Sequence, residues 1–538
     1  MKTMNILGLS KTILHRCHSL FIDHKTNLFI QHNRQVWSEN NDCHEEGEIL
    51  LEVNMGQSAI ISYSYLANIL AQKHNAKIIG YTTHRKATKN VFVRVLRALV
   101  YRGVKKTYSS FGVTAFVEVN PNRQQIAKAV RLFEQIYPLL KSKRDVEELV
   151  VDGVWVGDLI YDTFLRTYSV STIDMQSEIF IRFMHESLEM FIFWQDYFET
   201  HHVKAINVSH CVYNNAIPLR IAIKKGIAAY QTNATHVYRM SEKDMFAYGD
   251  NKYFPDAFAQ LSLHEQQAGL EEAKRRIDLR FAGQVGVDMA YSTKSAYGKK
   301  IGQPVLRQSS RKKILIAAHC FFDSPHSYGN NLFPDFYEWF DFLGKISNET
   351  DYDWYIKTHP DFLPGNSEII DYFIKKYPKF TLIDASTSHH QLIDEGISCA
   401  LTTYGTIGFE YAALGVLVVN ASDCNPHIAY GFNLHPTSVK AYEDIVRNLD
   451  GQLLQINQSE VYEYYYMKFI YNSDNWMFED YEKTIDELGG YKEQFTSNVY
   501  EVWLREWTEE KHRDIGETMS RFIDSGDFRL NNSHMDKV

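Results

Sequence analysis

The sequence predicts an α/β protein: two doubly wound, Rossmann-like domains followed by a C-terminal helical extension. Three observations predict it. The chain has 538 residues, 45% hydrophobic and 23% charged, which is enough apolar material for more than one core. Short β-rich runs alternate with helical patterns, the signature of parallel sheets. That alternation breaks at a polar stretch, Phe281–Arg311, carrying Gly283, Gly286, Gly298, Gly302 and Pro304, and then restarts.

In the first half, the strand patterns are Ala76–Thr82, Thr114–Val119, Ala205–Ser209 and Ile227–Gln231. Helical patterns cover Ser62–Lys73, Asn90–Tyr101, Pro121–Tyr137, Ser177–His201 and Ala216–Lys225, with a charged helix over Leu261–Arg280. In the second half, strands are expected at Lys312–Ala318, Trp354–Lys357, Phe380–Ile383, Ser398–Thr402 and Val416–Asn420. Helices are expected at Phe333–Ile346, Ser367–Lys376, His389–Glu395 and Gly408–Leu414. The expected division is an acceptor-binding domain over 1–285, a linker over 286–311 and a nucleotide-sugar domain over 312–460. A Tyr- and Trp-rich helical extension over 461–538 is expected to pack back across both.

Charge and cysteine use narrow the class. The net charge of −9 argues against a general nucleic-acid binder. The average conceals an asymmetry: Val53–Val117 contains no Asp or Glu, whereas Ser473–Glu517 is acidic. There is no apolar run of the roughly 18 residues a membrane span needs, and the apolar stretch near Met1 is too short for a secretory signal. The six cysteines (17, 43, 211, 320, 399 and 424) form no CxxC pair, so neither a zinc site nor a disulfide framework is indicated. A reducing cytoplasm is the expected setting.

Open α/β sheets bind ligands beyond the carboxyl ends of their strands. Three second-half segments reach that edge: Ala318–Gly329, Lys357-Thr-His-Pro360, and Thr402–Gly415. In the last, Thr403, Tyr404, Gly405, Thr406 and Gly408 lead from a strand into a helix. Glycines permit close backbone approach, and a helix start offers N–H groups and a positive dipole end to a phosphate. Glu410 lies in the first turn, placed to accept from ribose hydroxyls. Lys357 and His359 bring donors to a phosphate, and Pro360 fixes the exit of the chain. The alternative reading of the third segment is an ordinary helix start capped by Thr406.

These strings carry a resemblance. Lys357-Thr-His-Pro360, Thr403-Tyr-Gly-Thr-Ile-Gly-Phe-Glu410 and Asn420-Ala-Ser-Asp-Cys-Asn-Pro-His427 resemble the bacterial capsule-polysaccharide biosynthesis transferases. That family includes Kdo transferases acting on lipid-linked glycans. The similarity extends to Phe322-Asp-Ser-Pro-His326 and Gly157-Asp-Leu-Ile-Tyr-Asp162. It implies a GT-B glycosyltransferase with a CMP-activated donor, CMP-Kdo or another acidic sugar, and adds Asp323 and His326 to the donor site. The His-Pro pair is also similar to that of GT-B sialyltransferases, where it contacts a CMP-sugar phosphate. Their Asp/Glu-Asp-Gly acid motif has no counterpart here, so their mechanism does not carry over. Asp351-Tyr-Asp353 is similar to the DxD metal motif of another transferase architecture but starts its strand, away from the ligand edge. No metal or cofactor is expected beyond the nucleotide-sugar co-substrate.

For the acceptor side, glycosyl transfer needs a carboxylate or histidine as base or nucleophile. Asp158, expected to face the interdomain cleft, and His210, just past a strand, are the candidates. The expected partners are a nucleotide-sugar donor and a glycan or lipid-linked acceptor. The basic, apolar run Asn90–Lys106, with Arg94, Arg97 and Arg102, predicts peripheral contact with the anionic inner face of the cytoplasmic membrane. A UDP- or GDP-sugar transferase, a sugar-nucleotide epimerase of the same shape and a non-catalytic glycan-binding scaffold are the competing readings.

Overall fold

The computed structural model describes residues 22–37, 47–82, 101–289, 302–359, 365–452, 454–472 and 475–535, with 292 and 294–298 of the linker. Pro360 and residues 90–100 of the basic run, Arg94 and Arg97 among them, lie outside the described residues.

Two sheets organise the molecule. The first has six strands in the order β3-β2-β1-β6-β7-β8. They are β1 Glu48–Glu52, β2 Lys77–Thr82, β3 Val113–Glu118, β6 Val203–Val208, β7 Ala228–Thr232 and β8 Val237–Met240. All pairs are parallel except β7 with β8. A small antiparallel hairpin, β4 Val150–Val151 with β5 Val154–Trp155, lies apart. The second sheet runs β11-β10-β9-β12-β13, wholly parallel. Its strands are β9 Lys313–Ala318, β10 Asp353–Thr358, β11 Phe380–Ile383, β12 Ile397–Thr402 and β13 Leu417–Asn420. Each sheet therefore grows outward from its first strand in both directions, which is the doubly wound pattern. The order reverses between β1 and β6 in one lobe and between β9 and β12 in the other, and ligands bind at such reversals.

The central strand β1, Glu-Ile-Leu-Leu-Glu, is absent from the sequence expectations. All five of its residues are buried, both glutamates included. Tyr197 donates to Glu48 at 2.7 Å, and Ser209 and Asn215 donate to Glu52, so each buried carboxylate has partners. The segment starting at Gly157 forms the helix Gly157–Tyr168. Only glycine fits at its start, because a Cβ would sit 2.1 Å from the Val146 carbonyl oxygen.

The C-terminal helices pack in two parts. The helix Gln458–Tyr466 joins Leu263–Phe281 and Phe409 in one apolar cluster on the second lobe. Residues 475–535 return to the first lobe, where Trp503 and Met519 share a cluster with Phe29 and Tyr65. Phe29 stacks on Tyr500 at 4.1 Å. Ion pairs tie this segment to the first lobe: Lys25 pairs with Glu501 and Lys73 with Asp524. Lys105, from the described end of the basic run, pairs with Glu118 at 3.1 Å. Among the described residues, no helix is long and apolar enough to cross a membrane.

The lobes are bolted together. One continuous apolar cluster contains Tyr161, Ile206 and Trp194 of the first lobe and Phe333, Trp339 and Ile356 of the second. Around it, Tyr161 donates to Asp335 at 2.5 Å and Arg144 donates to the Leu332 carbonyl at 2.7 Å.

Candidate functional site

The second lobe gathers a lysine and several histidines at its switch point. Lys357, at the end of β10, is 3% exposed and donates to the Ala385 carbonyl at 2.7 Å. Burial lowers its pKa to about 8, against the pull of Asp384 and Glu410. His359 follows in the chain and is exposed. His319, just after β9, stacks on Phe336 at 4.7 Å. Its Nε2 accepts from the Thr403 N–H at 3.3 Å, which assigns the proton to Nδ1. Burial, reinforced by the neighbouring His359, depresses the His319 pKa to about 3. His389, at the start of the helix His389–Asp394, contacts the Tyr411 hydroxyl at 2.7 Å. Its pKa falls well below the ordinary histidine value through burial, then through the charges of Lys357, His390, His359 and Arg280. Three strand exits, after β9, β10 and β11, thus bring Lys357 and the rings of His319, His359 and His389 to one spot, where Lys357 is basic and the lowered pKa values of His319 and His389 leave those two rings neutral near pH 7.

The Thr-Gly turn sits beside this edge, but its residues act differently from the sequence expectation. Thr403 is 2% exposed and its hydroxyl is buried without a partner among the described residues. Tyr404 donates to the Ser324 carbonyl at 3.0 Å. Gly405 approaches Thr402 so closely that a Cβ would lie 2.8 Å from the Thr402 hydroxyl oxygen. Gly408 packs on His427, where a Cβ would lie 2.3 Å from Cε1. Its smallness serves internal packing rather than a phosphate. Thr406 precedes the helix Ile407–Ala413 without a side-chain capping bond.

Three further residues stand where the sequence did not place them. Glu410 is buried, with Oε1 accepting from Arg280 at 2.5 Å and Oε2 from the Tyr297 hydroxyl at 2.9 Å. Both of its oxygens are engaged, so ribose recognition would require displacing these donors. His326 is 1% exposed and wedged between lobes, 2.6 Å from Asp162 and 3.1 Å from Glu147. Burial lowers its pKa, but the two carboxylates outweigh burial and hold it well above the ordinary value. It fastens the lobes instead of lining the edge at Lys357. Asp158 is 1% exposed and turns inward to Arg220 at 2.8 Å. The first turn of its helix faces the lobe interior, not the cleft. Asp351 pairs with Arg311 at the start of β10, a full strand from the cleft.

Across the cleft, His210 follows β6 at the first lobe's switch point. Its ring keeps solvent access, while crowding by both lobes lowers its pKa against the pull of Asp323. Asp323 accepts from the Tyr213 hydroxyl at 2.6 Å and lies 3.9 Å from Arg166. The structure thus brings His210 and Asp323 together from opposite lobes.

A cavity of about 490 Å³ opens between the lobes. Trp155, Phe246 and Lys252 line it from the first lobe; Tyr328, Asp423 and Asn425 line it from the second. The guanidinium of buried Arg220 lies 5.0 Å from the rings of both Trp155 and Phe246. Asp158 therefore reaches the cavity only through Arg220, which fixes the aromatic wall. The rings are joined edge-on at 5.7 Å. Sequence spacing cannot reveal this wall, because residues 155, 220 and 246 meet only through the fold. His319, His389 and Arg280 likewise come from separate elements, two strand exits and the end of the helix Leu263–Phe281, although His319 lies within the Ala318–Gly329 segment.

No protein-family model matches the chain, and no curated protein matches it. Among solved structures, it is similar to a UDP-GlcNAc 2-epimerase from Neisseria meningitidis bound to UDP-GlcNAc, at 11% identity over 78% of this chain and 97% of that one, with a TM-score of 0.24. A glycosyltransferase from Rickettsia africae gives 11% identity, 86% and 100% coverage, and a TM-score of 0.24. The wall teichoic acid polymerase TagF gives 12% identity, 96% and 100% coverage, and a TM-score of 0.20. Likeness at this level carries no argument about chemistry; the doubly wound fold stands on the strand orders above.

Proposed function

We propose that the chain is a two-lobed GT-B glycosyltransferase. Its donor is a CMP-activated acidic sugar of the Kdo type, and its acceptor a glycan or lipid-linked glycan. The observation that carries this reading is the edge where basic Lys357 meets the imidazoles of His359 and His389, beside the Arg280–Glu410 pair, with His210 at the switch point of the other lobe. Such an edge suits a phosphate whose negative charge grows as a glycosyl bond breaks. The resemblance around His359 and the Thr-Gly turn selects CMP among nucleotides.

In this reading His359 and Lys357 hold the donor phosphate. His210, neutral near pH 7 because its pKa is lowered, takes the proton of the acceptor hydroxyl. The hydroxyl oxygen then bonds to the anomeric carbon as the bond to the CMP phosphate breaks, and the electron pair leaves on the phosphate. Asp323 orients the resulting imidazolium. The interlobal cavity, with an aromatic wall and planar polar groups, holds an acceptor sugar ring.

The experiment is transfer from CMP-Kdo to lipid-linked glycan acceptors, with His210→Ala and Asp158→Asn compared. His210→Ala is expected to lower turnover by roughly 10²–10⁴-fold and leave CMP binding intact. Asp158→Asn is expected to act through stability. Near-normal turnover in His210→Ala would remove the histidine from the mechanism.

A further inference from the structure

Glu52 is a buried carboxylate that the mechanism above does not use. It ends β1, at the reversal of strand order in the first lobe. Its Oε2 accepts from the backbone N–H of Ser209 at 2.6 Å and from the Ser209 hydroxyl at 2.8 Å. Its Oε1 accepts from the Asn215 side-chain amide at 3.1 Å. Ser209 and Asn215 are the two ends of the loop linking β6 to the helix Ile217–Lys224. One carboxylate therefore closes this loop at both ends. Between them the loop carries His210 and Tyr213. Tyr213 holds φ at +64°, an uncommon backbone for a non-glycine residue, and reaches Asp323 of the other lobe. The middle of the loop is under conformational load, so its ends need a firm anchor.

We propose that Glu52 is a positioning residue: its ionised carboxylate clasps loop 209–215 at both ends to set His210 opposite Asp323, and its protonation loosens the clasp. An ionised carboxylate only accepts, which matches its three donors; a protonated one must turn an O–H toward one of them. Burial pushes the Glu52 pKa up to about 7, opposed by the Ser209 and Asn215 hydrogen bonds. The titratable groups packed around it are Tyr63 from the helix Gln57–His74, Tyr81 from β2, Tyr108 from the helix over 101–109, and Cys211 from the loop itself. All four are shifted upward and stay neutral near pH 7, so the carboxylate is the group that titrates there. The consequence for catalysis rests on the role proposed for His210; the clasp itself does not.

The test is hydrogen–deuterium exchange of the full chain, followed on peptides covering 209–216 from about pH 6 to about pH 8 and corrected for intrinsic exchange. Protection in the wild type is expected to rise several-fold with a midpoint near 7. Glu52→Gln, which mimics the protonated acid, is expected to stay at the low-pH level throughout. Ser209→Ala removes one donor to the ionised form and is expected to move the midpoint upward. A flat wild-type profile, a Glu52→Gln profile like the wild type, or an unmoved midpoint in Ser209→Ala would each overturn the proposal. CMP binding measured on the same samples separates the two ideas, since its loss in the wild type would strike the donor reading and leave the clasp standing.

Discussion

Removing the carboxylate of Asp158 isolates a buried charge. Arg220 is 2% exposed, and Asp158 is its partner at 2.8 Å. Asp158 Oδ1 and Arg220 Nε are already buried without hydrogen-bond partners among the described residues, so the pair has little reserve. Asp158→Ala strands a guanidinium whose remaining neighbours among the described residues are the Trp155 carbonyl, at 3.4 Å, and two aromatic faces. Breaking a buried pair from one side costs about 3–5 kcal/mol, and the ring contacts, present before and after the substitution, do not offset it. A loss of about 3–5 kcal/mol should lower the melting temperature of the first lobe by roughly 6–20 °C. Scanning calorimetry of the full chain reads this directly. The double variant Asp158→Ala/Arg220→Met removes both charges and should recover most of the loss. A single variant within about 1 °C of wild type, or a double variant no better than the single, would refute the reasoning.

Other consequences are equally concrete. His326 has a raised pKa, so the stability it contributes is present below its unfolded value of 6.5 and is lost as pH rises through its elevated folded value. Lobe docking should weaken on the alkaline side, and His326→Gln should flatten that limb in melting temperature against pH. Gly408→Ala places a Cβ 2.3 Å from His427 and 3.0 Å from Asn433, and overpacking of this kind costs about 1–3 kcal/mol by thermal unfolding. Nucleotide affinity should fall as pH climbs through about 8, where Lys357 loses its proton, and Lys357→Met should remove that dependence in calorimetric titrations.

How much of this was legible in the sequence depends on what each residue type signals. The second lobe was readable almost element by element, because Lys-Ile-Leu-Ile-Ala-Ala and its sister strands are short apolar runs between polar helices. Strand β1 was not, because glutamates bracket its three apolar residues and only distant partners, Tyr197, Ser209 and Asn215, make their burial tolerable. The ends of the strands that precede His359 and the Thr-Gly turn lie at one edge of the second sheet, as short parallel strands between helices imply. The orientation of individual side chains was beyond reach. Gly408 reads as a phosphate glycine until His427 is seen against it. Asp158 reads as a cleft residue until the helix it starts turns it toward Arg220. His326 sits in a loop that looks like a ligand loop, yet Asp162 and Glu147 claim it for the lobe interface.

The central claim is that the second lobe's Lys357–His359 edge holds the phosphate of a CMP-linked donor. Isothermal titration of the full chain with CMP, UMP, UDP and GDP, in wild type and His359→Ala, tests it most directly. The account predicts that CMP binds in preference to the other three, and that His359→Ala weakens CMP by about 1.5–3 kcal/mol, roughly 10- to 150-fold. Binding of UDP or GDP without CMP, or unchanged CMP affinity in a folded His359→Ala protein, would contradict it.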